Sequence, residues 1–255
     1  MRETIMLIAG GSDPAGSEID GTQDSKYNRE HSFGNILAKM FGYRPINIAL
    51  VGAANQGITR SVVEWVTENY DEQKHDLFVL VGWADSSRME VPYHRPTWYH
   101  EQNPHVDWYG KTNDHWMRIN PGYKGHRKDE KAFIAEYHHF IALNEILLEV
   151  YSSHYILNLQ YFLKGKRIPY LMVNTLYMFN NQNIHNKWYT DQIDKKRYID
   201  WNDNEKSFYH RYASEGYKNL KAKYYHHDEE PHNRYAHYLR EYIMNNTILD
   251  YVDGE

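Results

Sequence analysis

Thr4-Ile-Met-Leu-Ile-Ala-Gly-Gly-Ser12-Asp-Pro-Ala-Gly16 runs from an apolar segment into two glycines, a serine and a further glycine four residues on. The pattern predicts a buried strand over 4–9 that feeds a tight loop presenting Ser12. Glycine tolerates positive φ and lets other groups approach the backbone closely. Open parallel sheets bind ligands at the carboxyl ends of their strands, so a serine there is placed for chemistry. An ordinary strand-to-helix turn, with Ser12 serving only as a cap, is the competing reading of the stretch.

Outward from this stretch the pattern alternates. Ser32 is expected to cap a helix carrying Phe33, Ile36, Leu37, Met40 and Phe41, with Gly42 ending it. Ile46–Val51 reads as a second strand, and a helix is expected from Ile58 to about Tyr70. The run 76–82 is apolar after Asp76, as a strand buried on both faces is. Strand–helix–strand–helix–strand with short loops predicts an α/β fold, a parallel sheet covered by helices in three layers. Residues 83–129 are aromatic, polar and histidine-rich, without a clean period, and are expected to be a large insertion. Helical spacing returns over 129–164, as one long helix or two. Ile168–Val173 reads as a fourth strand, 175–230 as a second polar and aromatic insertion, and 233–245 as the last helix. The whole chain, 1–255, reads as one domain with no internal repeat or linker.

Composition narrows the function classes. The net charge of −5 gives no nucleic-acid footprint. With no cysteine there is no disulfide, thiolate metal site or cysteine nucleophile, which fits a reducing cytoplasm. No cleavable signal pattern and no apolar run of membrane-spanning length is present, so no membrane partner is expected. The 24 tyrosines and 7 tryptophans suit half-buried ligand walls, because each has an apolar body and a polar tip.

Three loops follow the first three strands and converge at one sheet edge. They offer Ser12; Gly52 and Asn55; and Gly82, Trp83, Asp85 and Arg88. Before the last helix stands His226-His-Asp228-Glu229-Glu-Pro-His232, with His237 beyond it. A serine nucleophile needs a base, the base needs an orienting acid, and the oxyanion needs fixed donors. Each type is present in this order.

The ordered set resembles the SGNH (GDSL-like) hydrolases, especially the divergent forms carried by tailed bacteriophages. Gly10-Gly-Ser12-Asp-Pro-Ala-Gly16 is similar to their nucleophile block, and Asn47 to Asn55 to the block whose glycine N–H and asparagine bind the oxyanion. Asp76 to Glu90, with Gly82-Trp83 and Arg88, resembles the phage form of their third block. The 228–232 segment is similar to their D-x-x-H-P block, with histidine and proline reversed as Pro231-His232. Trp83-Ala-Asp85 stands where an asparagine is usual. The likeness covers 1–91 well and 168–245 loosely.

The resemblance implies a flavodoxin-like sheet and an ester hydrolase. Ser12 is then the nucleophile, His232 the base, Glu229 or Asp228 its acid, and Ser12 N–H, Gly52 N–H and Asn55 the oxyanion donors. It needs no cofactor and takes a small-molecule ester. A phosphomonoesterase acting on nucleotides is the alternative, with Arg88, Arg95 and Lys111 meeting phosphate. The 226–232 cluster would then hold a divalent metal. A third reading is a non-catalytic binding or virion protein on a decayed hydrolase fold.

Overall fold

The computed structural model describes residues 2–95, 97, 99–120, 127–140, 144–178, 185–224 and 226–250. The chain opens with β1 (Glu3–Gly10), α1 (Ser12–Ala15), α2 (Lys26–Glu30), α3 (Phe33–Met40), β2 (Arg44–Asn47), α4 (Asn55–Asn69) and β3 (His75–Trp83). A hairpin follows, β4 (Met89–Pro92) and β5 (Trp116–Ile119), then α5 (Lys128–Phe140), α6 (Glu145–Gly165) and β6 (Tyr170–Asn174). The last part holds α7 (Lys187–Thr190), β7 (Tyr198–Ile199), α8 (Phe208–Ser214) and α9 (Glu229–Asn245).

Five strands form one sheet in the order β2-β1-β3-β6-β7, and every pair in it is parallel. Counting only these strands, the order is 2-1-3-4-5, that of flavodoxin-like sheets. Side chains alternate along each strand, so each strand feeds two cores. Ile5, Leu7 and Ala9 join Val79, Val81 and Met172 on one face, under α4 and α6. Met6 and Ile8 join Phe78, Leu80 and Val173 on the other, under α3, α8 and α9. The expected three-layer α/β fold is thus present. Burial on both faces explains why β1 and β3 read as unbroken apolar runs.

Several boundaries differ from those expected. The second strand is Arg44–Asn47 rather than 46–51, although Ile48 and Leu50 N–H still donate to the carbonyls of Ile8 and Gly10 (2.8 and 3.0 Å). The 129–164 pattern is two helices, the second capped by Asn144, whose side chain accepts the Leu147 N–H. The expected 83–129 insertion contains the β4–β5 hairpin, which packs with Ile134 and Tyr137 of α5 into a small separate core. This unit is tied to α4 by Arg60, which meets Glu90 at 2.8 Å and lies 4.3 Å from the Trp116 ring centroid. The fifth strand, two residues long, lies inside the expected 175–230 insertion together with α7 and α8. The last helix starts four residues early, at Glu229.

Candidate functional site

Gly10 and Gly82 face each other at the carboxyl ends of β1 and β3. A Cβ on Gly10 would lie 2.5 Å from both the Gly82 carbonyl and Pro14 Cγ; one on Gly82 would lie 2.4 Å from Pro14 Cγ. The Pro14 ring therefore rests directly on the two strand ends, which only glycines allow. Asn47 Nδ2 holds the same turn from β2, donating to the Pro14 carbonyl at 2.8 Å. Gly16, at φ +72°, ends α1. These contacts fix Ser12 as the first residue of α1, 4 % exposed at the sheet edge. Its N–H lies in the first helical turn, where no intrahelical carbonyl reaches it.

Six residues on, Glu18 adopts the left-handed φ of +66° and is almost fully buried. Its Oε1 accepts the Lys223 N–H (2.8 Å); its Oε2 accepts the Tyr224 N–H (2.9 Å) and meets His226 Nδ1 at 2.7 Å. The Asn219 amide donates to the Glu18 carbonyl at 2.7 Å. Burial alone would raise the carboxyl pKa. The His226 contact, the two backbone N–H groups and the His226 charge together hold it below the usual value. A carboxylate on Nδ1 leaves the imidazole protonated there, so Nε2 is the basic nitrogen. His226 Nε2 has no hydrogen-bond partner among the described residues.

Asp13 lies within electrostatic reach of the same histidine. It is 2 % exposed and its Oδ2 has no partner among the described residues. Burial pushes its carboxyl up, opposed by the charges of His226, His227 and Arg88 and by a hydrogen bond with Thr175. His227 is committed elsewhere, with Nε2 on the Tyr209 carbonyl at 2.9 Å. The Arg88 head lies beside the Ser12 loop: Nη1 is 3.7 Å from where a Gly11 Cβ would be and 3.5 Å from the Ala53 carbonyl.

His232 does not have the environment expected of the base. It sits in the first turns of α9, 1 % exposed, against Phe33 and Phe208. Its Nδ1 accepts the Phe33 N–H at 3.2 Å, so that nitrogen carries no proton for an acid to receive. Glu229 points away, accepting from Tyr27 Oη at 2.7 Å and lying 3.9 Å from His31. Because the helix begins at Glu229, the three-residue spacing from Glu229 to His232 spans a helical turn rather than a loop. Asp228 is the N-cap residue; it makes no capping bond, and its Oδ1 is buried without a partner among the described residues. His237 is exposed on α9.

Burial holds His232 well below its ordinary pKa, with the charges of His227 and His226 adding to the effect. Its folded value is below its unfolded value, so its stabilisation is lost as pH falls below the unfolded value. The difference in Tm between pH 7 and pH 5 is therefore expected to be smaller in His232→Gln than in the unmodified protein. Thermal unfolding at the two pH values checks this; an unchanged difference refutes it.

The expected oxyanion set is also redistributed. Asn55 is buried at the start of α4, its Nδ2 on Ser152 Oγ (3.1 Å) and the Ala84 carbonyl (3.3 Å), its Oδ1 on the Ala84 N–H (3.0 Å). It is thus a clamp between α4, α6 and the end of β3. Gly52 has φ +81° and lies under Arg118, whose Nη1 donates to the Val51 carbonyl at 2.9 Å. Trp83 is fully buried, and Asp85 accepts the Ser87 N–H at 2.7 Å in a local turn. Lys111 pairs with Glu68 at 3.2 Å near the far end of α4, about 20 Å of helix from Asn55. Arg95 acts on Asp129, at the start of α5. The 226–232 cluster is dispersed among separate partners. Among the described residues no three histidine or acidic groups are placed to hold a metal ion.

The sequence profile of a family of unknown function, DUF6071, matches residues 17–255. The chain belongs to DUF6071. The match includes Glu18, Arg88 and His226 and begins five residues after Ser12. No curated protein matches this DUF6071 chain. Among solved structures it is similar to an acetyl xylan esterase, Est2A, from the rumen bacterium Butyrivibrio proteoclasticus. The TM-score is 0.45 at 9 % identity, over 98 % of this chain and 66 % of that one, so the DUF6071 chain spans just under two thirds of that enzyme's length. No helix among its described residues is long and apolar enough to cross a membrane.

Proposed function

We propose that this protein is a serine hydrolase of carboxylic esters, with Ser12 as nucleophile, His226 as base and Glu18 as the acid that orients it. The observation that carries the reading is the 2.7 Å contact of a buried carboxylate with His226 Nδ1, made by a residue six positions after Ser12. Such a pair fixes the tautomer and stabilises the imidazolium that forms when the base takes a proton. Ser12 Oγ attacks the ester carbonyl and its proton passes to His226 Nε2. The alcohol leaves with that proton, and water then releases the acid by the same route. Ser12 N–H and Gly52 N–H are the proposed oxyanion donors. Among the described residues no hydrogen bond joins Ser12 to a histidine; such contacts commonly tighten only when substrate binds.

The test is covalent labelling with a fluorophosphonate, followed by peptide mass spectrometry, beside turnover of short acyl esters with and without EDTA. The expected result is one adduct, on the peptide containing Ser12, and ester cleavage indifferent to EDTA. An unlabelled Ser12 together with silent esters would sink the proposal. Phosphate release from nucleoside monophosphates would replace it with the phosphomonoesterase reading.

A further inference from the structure

We propose that Arg88 is a docking group for an anionic moiety of the substrate, a carboxylate or a phosphate, held beside Ser12. This rests on the reading of Ser12 as the reactive residue. Arg88 stands out by what it does not bond. Arg29, Arg60, Arg197 and Arg211 each have a carboxylate within 4.0 Å. Arg88 has none among the described residues, and Glu90, two positions on, is committed to Arg60. The one bond recorded for its guanidinium is the long contact with the Ala53 carbonyl, 3.5 Å. A guanidinium carries five donors in a planar fork, so most of its capacity is left for a ligand.

Its position is set by the backbone. Asp85 accepts the Ser87 N–H, and the Arg88 N–H returns to the Asp85 carbonyl at 3.2 Å, a closed turn at the end of β3. From this turn the half-buried side chain reaches across to the loops that follow β1 and β2, at Gly11 and Ala53. Gly11 has no side chain to occupy the space beside Nη1. Asp13 is buried nearby, where burial pushes its carboxyl up against the Arg88 charge, and it makes no ion pair with Arg88 among the described residues. A half-buried cation at the strand ends, beside a glycine and without an acid partner among the described residues, is suited to the forked recognition of a carboxylate or phosphate. The substrate class is therefore an ester that carries a second, ionised group near the scissile bond.

Calorimetric titration of the Ser12→Ala protein tests this without turnover. The probes are monomethyl succinate, methyl phosphate and the neutral methyl butyrate. At least one anion is expected to bind tenfold or more tightly than methyl butyrate, with the preference falling as salt is raised. The stronger anion identifies the group. Adding Arg88→Gln is expected to abolish the preference, and Arg88→Lys to restore part of it, because lysine supplies charge without the fork. Equal binding of anions and neutral ester, no binding of either anion, or a preference that survives Arg88→Gln would overturn the proposal. A failed serine mechanism shows instead as absent labelling of Ser12 and leaves this binding result standing.

Discussion

Replacing Glu18 by glutamine is expected to lower kcat on a short acyl ester by about 10²- to 10⁴-fold with little change in KM. Glutamine keeps the size of the side chain, and its one amide oxygen can still accept the Lys223 N–H that Glu18 Oε1 receives, while its NH₂, in place of Oε2, faces the Tyr224 N–H and His226 Nδ1. It differs at His226. An amide supplies no charge to stabilise the imidazolium, and its NH₂ can donate to Nδ1, which drives the proton to Nε2 and removes the base. Ser12→Ala and His226→Gln should each bring the rate to background. Combining either with Glu18→Gln should cost little more, because members of one catalytic unit are not additive. His232→Gln is the contrast: its side chain serves the Phe33 N–H in the core, so the variant should turn over ester within a fewfold of the unmodified protein. Initial rates on p-nitrophenyl acetate, with circular dichroism to confirm folding, decide this. A Glu18→Gln rate within threefold would remove Glu18 from the mechanism.

The left-handed φ of Glu18 fits the same account. A non-glycine residue there costs on the order of 1 kcal/mol or more and persists only where surrounding contacts compensate. The contacts that compensate here are those to the 219–226 segment.

Periodicity made the sheet legible. β1 and β3 were expected within a residue of their observed ends, and the Ser32 cap with its helix over Phe33–Met40 is as the pattern implies. The strand-end glycines pointed to a close approach, and Pro14 makes it. The proposed acid and base were not legible in the same way. Glu18 and His226 lie 208 positions apart, and no spacing rule connects them. The nearer 228–232 segment has the right residue types at familiar spacing, but Pro231 is tolerated in the first turn of α9, so the helix starts before His232 and carries it into the core. Asn55 misleads for a related reason. Helix α4 begins at Asn55 itself, and its buried amide meets the demands of α6 and the end of β3 before any ligand. The β4–β5 hairpin left no period because its strands are four residues each, separated by the whole aromatic loop.

The second large effect is expected far from any reacting atom. Arg29→Met should destabilise the fold by about 3–5 kcal/mol, because it leaves Asp24 as a buried, unpaired charge. Arg29 and Asp24 are paired at 2.8 Å with side chains 4 % and 1 % exposed. Arg29 Nη1 also donates to the Ala49 carbonyl at 3.0 Å, and the second Asp24 oxygen accepts the His105 N–H at 3.0 Å. One pair thus joins α2, the end of β2 and the aromatic insertion. In a chain of this length the loss corresponds to a fall in Tm of roughly 6–20 °C. Arg29→Met with Asp24→Leu should recover much of it, since a packed apolar pair has no desolvation penalty to meet. Urea unfolding of the single and double variants measures both; a single-variant loss under about 1 kcal/mol would show that water or another cation reaches Asp24. The effect should also reach Ser12. Arg29 Nη1 lies 3.4 Å from the carbonyl and Oδ1 of Asn47, whose Nδ2 holds the Pro14 carbonyl and with it the turn carrying Ser12. Loosening Asn47 should slow fluorophosphonate labelling of Ser12 under conditions where the variant is still folded. A normal labelling rate there would confine the role of Arg29 to stability.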